Sequence, residues 1–408
     1  MAAMAQRENA DAKSDVNAME GWDVNSVKTG DGRVPATVLT GFLGSGKTTL
    51  LNYILTQEHG LKIAVIENEF GEVGVDDALV KKKFDTQEEI FEMNNGCICC
   101  TVRGDLIRIL GKILKKGKMD AIIIETTGLA DPAPVAQTFF MDEKIKSLAR
   151  IDGILTVVDA KHIIQHLDEE KPDGVENEAV EQVAFADRLL VNKCDLVDEE
   201  YLTVVEARLR AINRDAPFTR CINSEVPLKK LLGIGAFNLD NIVKIDPDFL
   251  GEADADEDDH SSCDHEHGDC NHDHGHGHGH GAPKVAMSST LNPDGSRKMD
   301  GKKKVHSHDN STSSVGIREV GELNMEKLNG WISALLKDQG PNIYRMKGVL
   351  AIQGMEKKFV FQGVHMVFDG QPMDIEWGAE EVKENKMIFI GKKLDKEALL
   401  ASFRECLV

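Results

Sequence analysis

Short apolar runs alternate with amphipathic stretches from residue 34 to about residue 245, a pattern typical of a parallel β-sheet covered by helices. Many of these runs are apolar throughout, which indicates strands buried on both faces. We predict strands at residues 37–39, 63–66, 121–124, 154–158 and 189–191. The apolar positions within 50–55 have helical spacing and predict a helix that ends at Gly60.

A second patterned region begins near Ile317. Residues 346–352, 358–367 and 387–391 alternate between apolar and polar positions, which predicts strands. Residues 323–336 and 396–406 have helical spacing. Strands and helices in this order predict a small α+β domain.

Two segments lack the apolar residues that a core requires. Residues 1–33 carry scattered charges, and residues 251–316 pass from Asp and Glu to His and Gly and then to Ser, Lys and Asn. Such compositions bury too little surface to offset the entropy of ordering, so we predict a disordered tail and a disordered linker. The folded parts are then an α/β domain at 34–250 and an α+β domain at 317–408.

Acidic residues outnumber basic ones, with 69 Asp and Glu against 48 Lys and Arg, which gives a net charge of −21 over 408 residues. This balance disfavours nucleic acid and anionic membrane surfaces as partners. No apolar run approaches the roughly 20 residues that a membrane span requires. The first residues show neither a signal-peptide nor a transit-peptide pattern, so we expect a cytoplasmic location, with a nuclear fraction left open.

The clearest motif is a phosphate-binding pattern, G-x-x-x-x-G-K-[ST], between a predicted strand and a predicted helix. Glycines let backbone N–H groups point at phosphate oxygens, and the helix adds its positive end. Lys47 would contact the β- and γ-phosphates, and the hydroxyl of Thr48 would bind Mg²⁺. The motif consists of Gly41, Phe42, Leu43, Gly44, Ser45, Gly46, Lys47 and Thr48.

A second motif follows the predicted strand at 189–191. Asn192, Lys193, Cys194 and Asp195 resemble the Asn-Lys-x-Asp loop of GTPases, in which the Asp carboxylate accepts two hydrogen bonds from guanine. Adenine lacks those donors, so the motif predicts selection of GTP over ATP.

Between these motifs, the predicted strand at 121–124 ends in Glu125, and Gly128 follows three residues later. This is a Walker B-like arrangement. Glu125 would hold a Mg²⁺-bound water, and the N–H of Gly128 would sense the γ-phosphate.

Three of the eight cysteines fall within four positions, at Cys97, Cys99 and Cys100. Thiolates suit Zn²⁺ or Cu⁺, and Zn²⁺ usually takes four ligands. Three thiolates leave one position open, which suits a metal that binds and then leaves. A redox pair and inert buried cysteines remain the alternatives for this cluster.

The order of these motifs resembles that of the CobW-family GTPases, relatives of the UreG and HypB metallochaperones, and is most similar to the zinc-regulated GTPase metalloprotein activators. The resemblance covers residues 34–245, with a CobW-type C-terminal domain after residue 317. It also includes the segments 68–76 and 125–132. The fold that it implies is a P-loop GTPase domain with a mostly parallel sheet, a His-rich linker and the small C-terminal domain.

The resemblance also implies roles for individual residues. Cys97, Cys99 and Cys100 would be the zinc ligands, and residues 68–76 would be switch I. The residues beside the nucleotide would be Cys100, Thr101, Val102, Arg103 and Gly104. Residues 1–33 lack the Pro-x-Leu-Val-Pro motif through which many eukaryotic members bind methionine aminopeptidase, so that client is not assumed.

Other candidate metal ligands are less specific. Eight of the 14 histidines lie between His260 and His280, which suits either a weak metal reservoir or a solvated linker. Glu67 and Glu72 are candidate supplementary ligands or solvated acids. For His162, a surface or packing role is favoured over ligation.

These observations favour a GTP-hydrolysing chaperone that delivers Zn²⁺ to a client apo-metalloenzyme, with GTP, Zn²⁺ and Mg²⁺ as ligands. A zinc-buffering or zinc-sensing GTPase without transfer is one alternative, and an assembly factor for cobalt or nickel is another. A nucleotide-dependent homodimer is a further expectation for partners.

Overall fold

The computed structural model describes residues 27, 32–57, 59–68, 89–93, 101–117, 119–172, 175–237, 312–378 and 380–408. These residues form two β-sheets, one before and one after the stretch 238–311. Most of the predicted tail and of the predicted linker therefore lies outside the described residues. In the described part of the chain, no helix has the length and apolar content needed to cross a bilayer.

The first sheet confirms the predicted α/β class. Its strands are β1 (Val34–Thr40), β2 (Ile63–Asn68), β3 (Glu89–Met93), β4 (Ala121–Glu125), β5 (Ala149–Asp159), β6 (Arg188–Asn192) and β7 (Phe218–Arg220). Their order is β3-β2-β4-β1-β5-β6-β7, and every neighbouring pair is parallel. The five predicted strands all form and extend beyond their apolar runs. The sequence pattern missed β3, where glutamates interrupt the apolar residues, and β7, which has only three residues.

Helices connect the parallel strands. They are α1 (Lys47–Thr56), α2 (Thr101–Lys116), α3 (Ala133–Met141), α4 (Glu143–Leu148), α5 (Ile163–Leu167), α6 (Glu178–Phe185) and α7 (Glu199–Ile212). The prediction that the first helix reaches Gly60 is wrong. Helix α1 ends at Thr56 because Gln57 has an extended backbone and closes the helix with an N–H bond to the carbonyl of Ile54.

Alternate residues of each strand enter different core layers, as expected for a sheet covered on both faces. Val38 and Ile124 pack in one layer, with apolar residues of α2, α3, α6 and α7. Leu39 and Ile123 pack in the other layer, with the apolar face of α1. These side chains are at most 1% exposed, so the sheet is a rigid base for the loops at its edge.

The strand order reverses at β1. From β1 the chain passes to β2, β3 and β4 on one side of the sheet and to β5, β6 and β7 on the other. In such sheets, ligands bind at the carboxyl ends of the strands beside the reversal. The loop after β1 lies at this point, with the ends of β4 and β5 on either side of it.

The second sheet is antiparallel. Its strands are β8 (Thr312–Val320), β9 (Ile343–Leu350), β10 (Lys357–Val364), β11 (Val367–Glu376) and β12 (Glu384–Lys392), in the order β11-β10-β9-β12-β8. Helices α8 (Met325–Gln339) and α9 (Lys396–Arg404) pack against it around a second apolar core. The predicted small α+β domain is confirmed, with different bounds: the strand β8 begins five residues before Ile317. The predicted strand at 358–367 contains a turn at His365, whose φ of 51° separates β10 from β11.

The described residues of the two sheets belong to one compact unit. Arg345 of β9 donates hydrogen bonds to the carbonyl of Phe185 at 2.9 Å and to the carboxylate of Asp187 at 2.6 Å. Lys347, two residues further along β9, bonds to Asp215 at 2.6 Å. Strand β9 therefore joins the second sheet to the end of α6 and to the loop after α7.

Candidate functional site

The predicted phosphate loop joins β1 to α1 and requires glycine at two close approaches. Gly41 has a φ of 140°, and a Cβ atom there would lie 2.2 Å from the carbonyl oxygen of Val157 on β5. Gly46 has a φ of 112°, and a Cβ atom there would lie 2.4 Å from Nδ2 of Asn192. Other residues would be strained at both positions and would push the loop away from its neighbours.

Lys47 is the first residue of α1 and is mostly buried. Its ammonium donates hydrogen bonds to the carbonyls of Gly41 at 2.8 Å and Phe42 at 3.2 Å, which hold it against the loop. Burial lowers the pKa of Lys47, and the charge of Glu125 opposes that shift. Ser45 Oγ is buried and has no hydrogen-bond partner among the described residues. The loop therefore offers a cation, a hydroxyl and a helix N-terminus to an anionic ligand.

Glu125 ends β4 directly beside α1. The hydroxyl of Thr48 donates to Oε1 of Glu125 at 3.3 Å, so the two predicted Mg²⁺ contacts lie together at the sheet edge. A hydroxyl and a carboxylate are hard oxygen donors, the kind that Mg²⁺ prefers. The donor set present here fits Mg²⁺.

The loop after β4 lies on the phosphate loop. A Cβ atom at Gly128 would lie 2.7 Å from both N and Cα of Leu43, so only glycine permits this approach. The residue that holds this loop belongs to no motif in the sequence and was not predicted: Gln182 of α6 donates to the carbonyls of Gly128 at 3.1 Å and Ala130 at 3.3 Å.

The Asn192–Asp195 motif begins at the last residue of β6 and forms hydrogen bonds to the phosphate loop. Nδ2 of Asn192 donates to the carbonyl of Ser45 at 2.9 Å, and Nζ of Lys193 donates to the carbonyl of Gly44 at 2.8 Å. The Cys194 thiol donates to the carbonyl of Val191, and Asp195 is exposed in a 3₁₀ turn.

Ser224 is a second contact residue that belongs to no predicted motif. Its N–H donates to Oδ1 of Asn192 at 2.9 Å, and its hydroxyl donates to the carbonyl of Gly46 at 3.0 Å. The loop after β7 thus completes the connection between the two predicted nucleotide-binding motifs. Asn223 and Ser224 both have positive φ values, 53° and 59°, which marks a sharply turned loop.

Asp159 ends β5 and organises the rim of the site. Its carboxylate accepts a hydrogen bond from Lys193 at 2.7 Å and lies 3.0 Å from Nδ1 of His162. Burial opposes its ionisation, but the hydrogen bonds with Lys193 and His162 outweigh burial and hold the pKa of Asp159 below its ordinary value. The ring of Phe42 stacks on His166 with centroids 3.9 Å apart. His162, whose side chain is half exposed, and His166 therefore both contact residues at the rim of the site.

The predicted zinc ligands Cys97, Cys99 and Cys100 lie outside the described residues, as do Glu72, residues 69–76 of the predicted switch and the His-rich stretch. Strand β3 ends at Met93 and α2 begins at Thr101, so the cysteines connect the carboxyl end of a parallel strand to a helix. Thr101, Val102, Arg103 and Gly104 form the first turn of α2.

The described cysteines are poor candidates for metal binding. Burial raises the pKa values of Cys194, Cys221 and Cys406, that of Cys221 to about 12, so these thiols stay protonated at neutral pH. Among the described residues, no group of three or more His, Cys, Asp or Glu side chains could hold a metal ion.

Known proteins resemble both folded parts of the chain. The nucleotide-binding domain of CobW, HypB and UreG matches residues 35–220, and the C-terminal domain of the cobalamin synthesis protein CobW matches residues 312–407. The zinc chaperone YjiA of Escherichia coli is 32% identical over 376 residues, which cover 91% of this chain and 98% of that protein.

A solved structure and a second relative agree with this match. The crystal structure of Zn(II)-bound YjiA GTPase from E. coli has a TM-score of 0.61 and 27% identity, covering 92% of this chain and 99% of that chain. Zinc-regulated GTPase metalloprotein activator 1 of Dictyostelium discoideum is 41% identical over 234 residues, or 50% of this chain. This chain spans about half of that relative, 49% of its length. The resemblance predicted from the motifs is confirmed: the chain belongs to the CobW/HypB/UreG family.

Proposed function

We propose that this chain is a GTP-hydrolysing zinc metallochaperone, which binds Zn²⁺ at Cys97, Cys99 and Cys100 and transfers it to a client apo-metalloenzyme. The observation that carries the proposal is the hydrogen-bonded assembly of the phosphate loop, Glu125 and the Asn192–Asp195 motif in a CobW-family chain. Strand β3, which precedes the cysteines in the sequence, ends at the same sheet edge, because all seven described strands are parallel.

The proposed nucleotide site runs along the carboxyl edge of the first sheet. The N–H groups of residues 41–48 hold the phosphates, and Lys47 leaves its loop carbonyls to neutralise the β- and γ-phosphates. Asp195, which is exposed, accepts the two guanine donors, and its distance from the phosphates is set by Asn192. By resemblance, residues 100–104 line the same nucleotide.

Hydrolysis is proposed to depend on groups that stabilise negative charge as it develops on the phosphoryl group. Thr48 and Glu125, which lie together at the sheet edge, would hold Mg²⁺. When bound, Mg²⁺ supplies positive charge next to the β- and γ-phosphates. Gly128 lies against the backbone of Leu43 in the phosphate loop, and we propose that its N–H donates to the γ-phosphate.

For zinc, the proposal rests on the chemistry of the sequence and on the relatives, of which YjiA of E. coli is described as a zinc chaperone. Three thiolates leave the fourth Zn²⁺ position for a residue from elsewhere or for the client. Glu67 is our candidate for that position, since it lies on β2 in register with Glu125 on one side and Glu92 of β3 on the other. By resemblance, residues 68–76 are switch I and respond to GTP. The nucleotide state would then also change zinc binding.

The test is a zinc titration of the metal-free full chain with a chromophoric chelator as competitor, in the presence of GDP or of a non-hydrolysable GTP analogue. We expect one tight site whose affinity differs between the two nucleotides, by about 5- to 150-fold for a typical coupling. Cys99→Ser should abolish the tight site, because serine is not ionised at neutral pH. Cys406→Ser, the matched control at a buried thiol of the second domain, should leave it unchanged.

Two results would reject the proposal. If the wild type binds no zinc tightly, the cysteines are not the metal site. If zinc binds with equal affinity under both nucleotides, the chain stores zinc and does not release it on hydrolysis. Addition of cobalt or nickel under the same conditions distinguishes the other metals.

A further inference from the structure

Gln182 connects α6 to the loop beside the phosphate loop. Its side chain is 1% exposed, and Nε2 donates to the carbonyls of Gly128 and Ala130. Both partners are acceptors, so the amide must turn its NH₂ group toward this loop. Gly128 in turn lies against the backbone of Leu43. The two hydrogen bonds therefore fix the position of the loop after β4 relative to the phosphate loop.

Gln182 is itself anchored to the sheet. Its carbonyl accepts a hydrogen bond of 2.8 Å from the hydroxyl of Thr156 on β5. Thr156 is in register with Thr40 at the end of β1, and Thr40 bonds through its hydroxyl to Thr126 at 2.9 Å. The loop after β4 is thus held from the sheet by Thr126 and from α6 by Gln182.

The last turn of the same helix holds the C-terminal domain. The carbonyl of Phe185 accepts a hydrogen bond from Arg345. The ring of Phe185 packs on the rings of Tyr344 and His365, with centroid distances of 5.4 Å and 5.2 Å respectively. Phe185 is fully buried and is three residues after Gln182, which is about one helical turn. A displacement of β9 that moves Phe185 would therefore also move Gln182, which lies one helical turn away.

We propose that Gln182 is a positioning residue for nucleotide hydrolysis, and that the C-terminal domain acts on the nucleotide site through it. This inference rests on the GTPase activity proposed above. Gln182 does not contact the nucleotide. It holds the N–H of Gly128 at the place where negative charge develops on the phosphoryl group, and Arg345 holds α6 so that Gln182 reaches both carbonyls.

The first experiment replaces Gln182 with methionine, which has similar length and removes both donors. We expect kcat for GTP hydrolysis to fall about 10- to 100-fold, as for displacement of a catalytic group by roughly an ångström. Nucleotide affinity should stay within about threefold, because Lys47 and the phosphate loop are unchanged, and a general loss of structure would not give this split. Asn385→Leu is the matched control: Asn385 is a buried amide whose hydrogen bonds, with Ala351, Glu319 and Gly321, all lie within the C-terminal domain. Its kcat should equal that of the wild type.

The second experiment tests the connection to the C-terminal domain. Arg345→Lys keeps a charge beside Asp187 but cannot reach both Asp187 and the carbonyl of Phe185. It should lower kcat in the wild-type background and have little further effect in the Gln182→Met background, because both changes act on one path.

Each outcome assigns a cause. A wild type that binds GTP but does not hydrolyse it overturns the proposed function, and this inference with it. Hydrolysis that is unchanged by Gln182→Met overturns the positioning role alone, and equal effects of Arg345→Lys in both backgrounds overturn the connection. If Gln182→Met does not fold, Gln182→Asn serves in its place, since its shorter amide reaches at most one carbonyl and should lower kcat to a smaller extent.

Discussion

The amide of Asn192 donates a 2.9 Å hydrogen bond to the carbonyl of Ser45, although 147 positions separate the two residues along the chain. The same amide bonds to Ser224 Oγ at 2.9 Å, and its oxygen accepts from the N–H of Ser224. Asn192 is fully enclosed, at 2% exposure. Since Asp195 follows three positions later, this side chain sets the distance between the proposed guanine contact and the phosphate loop.

Asn192→Ala should therefore affect both stability and nucleotide binding. It removes four hydrogen bonds within the fold, one of them the long bond from the Cys221 thiol, and leaves buried partners unsatisfied, which should lower the free energy of unfolding by about 2–4 kcal/mol. GTP affinity should also fall, because the two loops are no longer joined. Urea denaturation and a fluorescent GTP analogue measure the two effects.

Asn385→Ala is the control for this variant. Asn385 is equally buried and makes three hydrogen bonds, with the N–H of Ala351 and the carbonyls of Glu319 and Gly321, all in the C-terminal domain. Asn385→Ala should lower the free energy of unfolding by a similar amount and leave GTP affinity unchanged. Equal GTP affinity in both variants would show that Asn192 is only structural.

Asp195→Asn should change the base that is selected. A carboxylate accepts both guanine donors, whereas an amide presents its own NH₂ to one of them, so GTP should bind roughly 100-fold more weakly. Xanthosine triphosphate should bind this variant better than GTP does, because xanthine has a carbonyl oxygen, an acceptor, where guanine has its 2-amino group. The measurement is competition for a fluorescent nucleotide. Asp198→Asn serves as control, since Asp198 caps α7 and Asn caps equally well.

The parts of the site that sequence analysis identified are those encoded within a few consecutive residues. The phosphate loop and the Asn192–Asp195 motif each follow an apolar strand, and their glycines and polar residues have a fixed local spacing. Gln182 and Ser224 have no such signal. Gln182 acts on a carbonyl 54 positions away, and Ser224 on an amide 32 positions away, so only the folded chain brings these partners together.

The elements and bounds that the sequence pattern did not predict have related causes. Strand β3 lies at the edge of its sheet and contains two glutamates, so its apolar pattern is weak. Strand β8 begins with Thr312, Ser313 and Ser314, polar residues that form a strand because β12 pairs with them. Ser314 also bonds to the carbonyl of Ile212 in the first domain. Pairing with strands distant in the sequence determines where these strands begin and end, and the local pattern of apolar residues does not predict that pairing.

Lys347→Met should weaken the contact between the domains. Lys347 bonds to Asp215 at 2.6 Å, and although burial raises the pKa of Asp215, the nearby Lys347 charge outweighs burial and lowers it. A lowered pKa stabilises the fold above the ordinary value of 3.8, and this stability is lost as the pH falls through the folded-state pKa. The free energy of unfolding of the variant should be about 2–3 kcal/mol lower at pH 7. The reason is that the largely buried carboxylate of Asp215 no longer has the positive charge of Lys347 beside it. Lys357→Met, which removes the exposed pair with Asp374, should leave the urea midpoint unchanged.

Glu181 of α6 gives the fold an opposite pH dependence. It is 7% exposed, and burial together with the charges of Asp131 and Glu178 raises the pKa of Glu181 to about 8. His365 of the C-terminal domain interacts with the same Asp131. Below pH 4.5 the Glu181 carboxyl is protonated in both folded and unfolded chains. Between pH 4.5 and about 8, the Glu181 carboxyl is ionised in the unfolded chain but protonated in the folded chain. The contribution of Glu181 to the free energy of unfolding therefore falls as the pH rises.

Glu181→Gln should remove this dependence, because the amide has a similar shape and does not ionise. The variant should equal the wild type near pH 5 and exceed its free energy of unfolding by about 2–4 kcal/mol at pH 8. Urea denaturation of the metal-free protein at pH 5, 6, 7 and 8 measures the difference, and removal of zinc keeps metal binding from adding its own pH dependence. Glu200→Gln, at an exposed position of α7, should leave the profile unchanged. A difference between Glu181→Gln and the wild type that stays constant from pH 5 to pH 8 would contradict the prediction, because it would mean that Glu181 is already ionised in the folded chain.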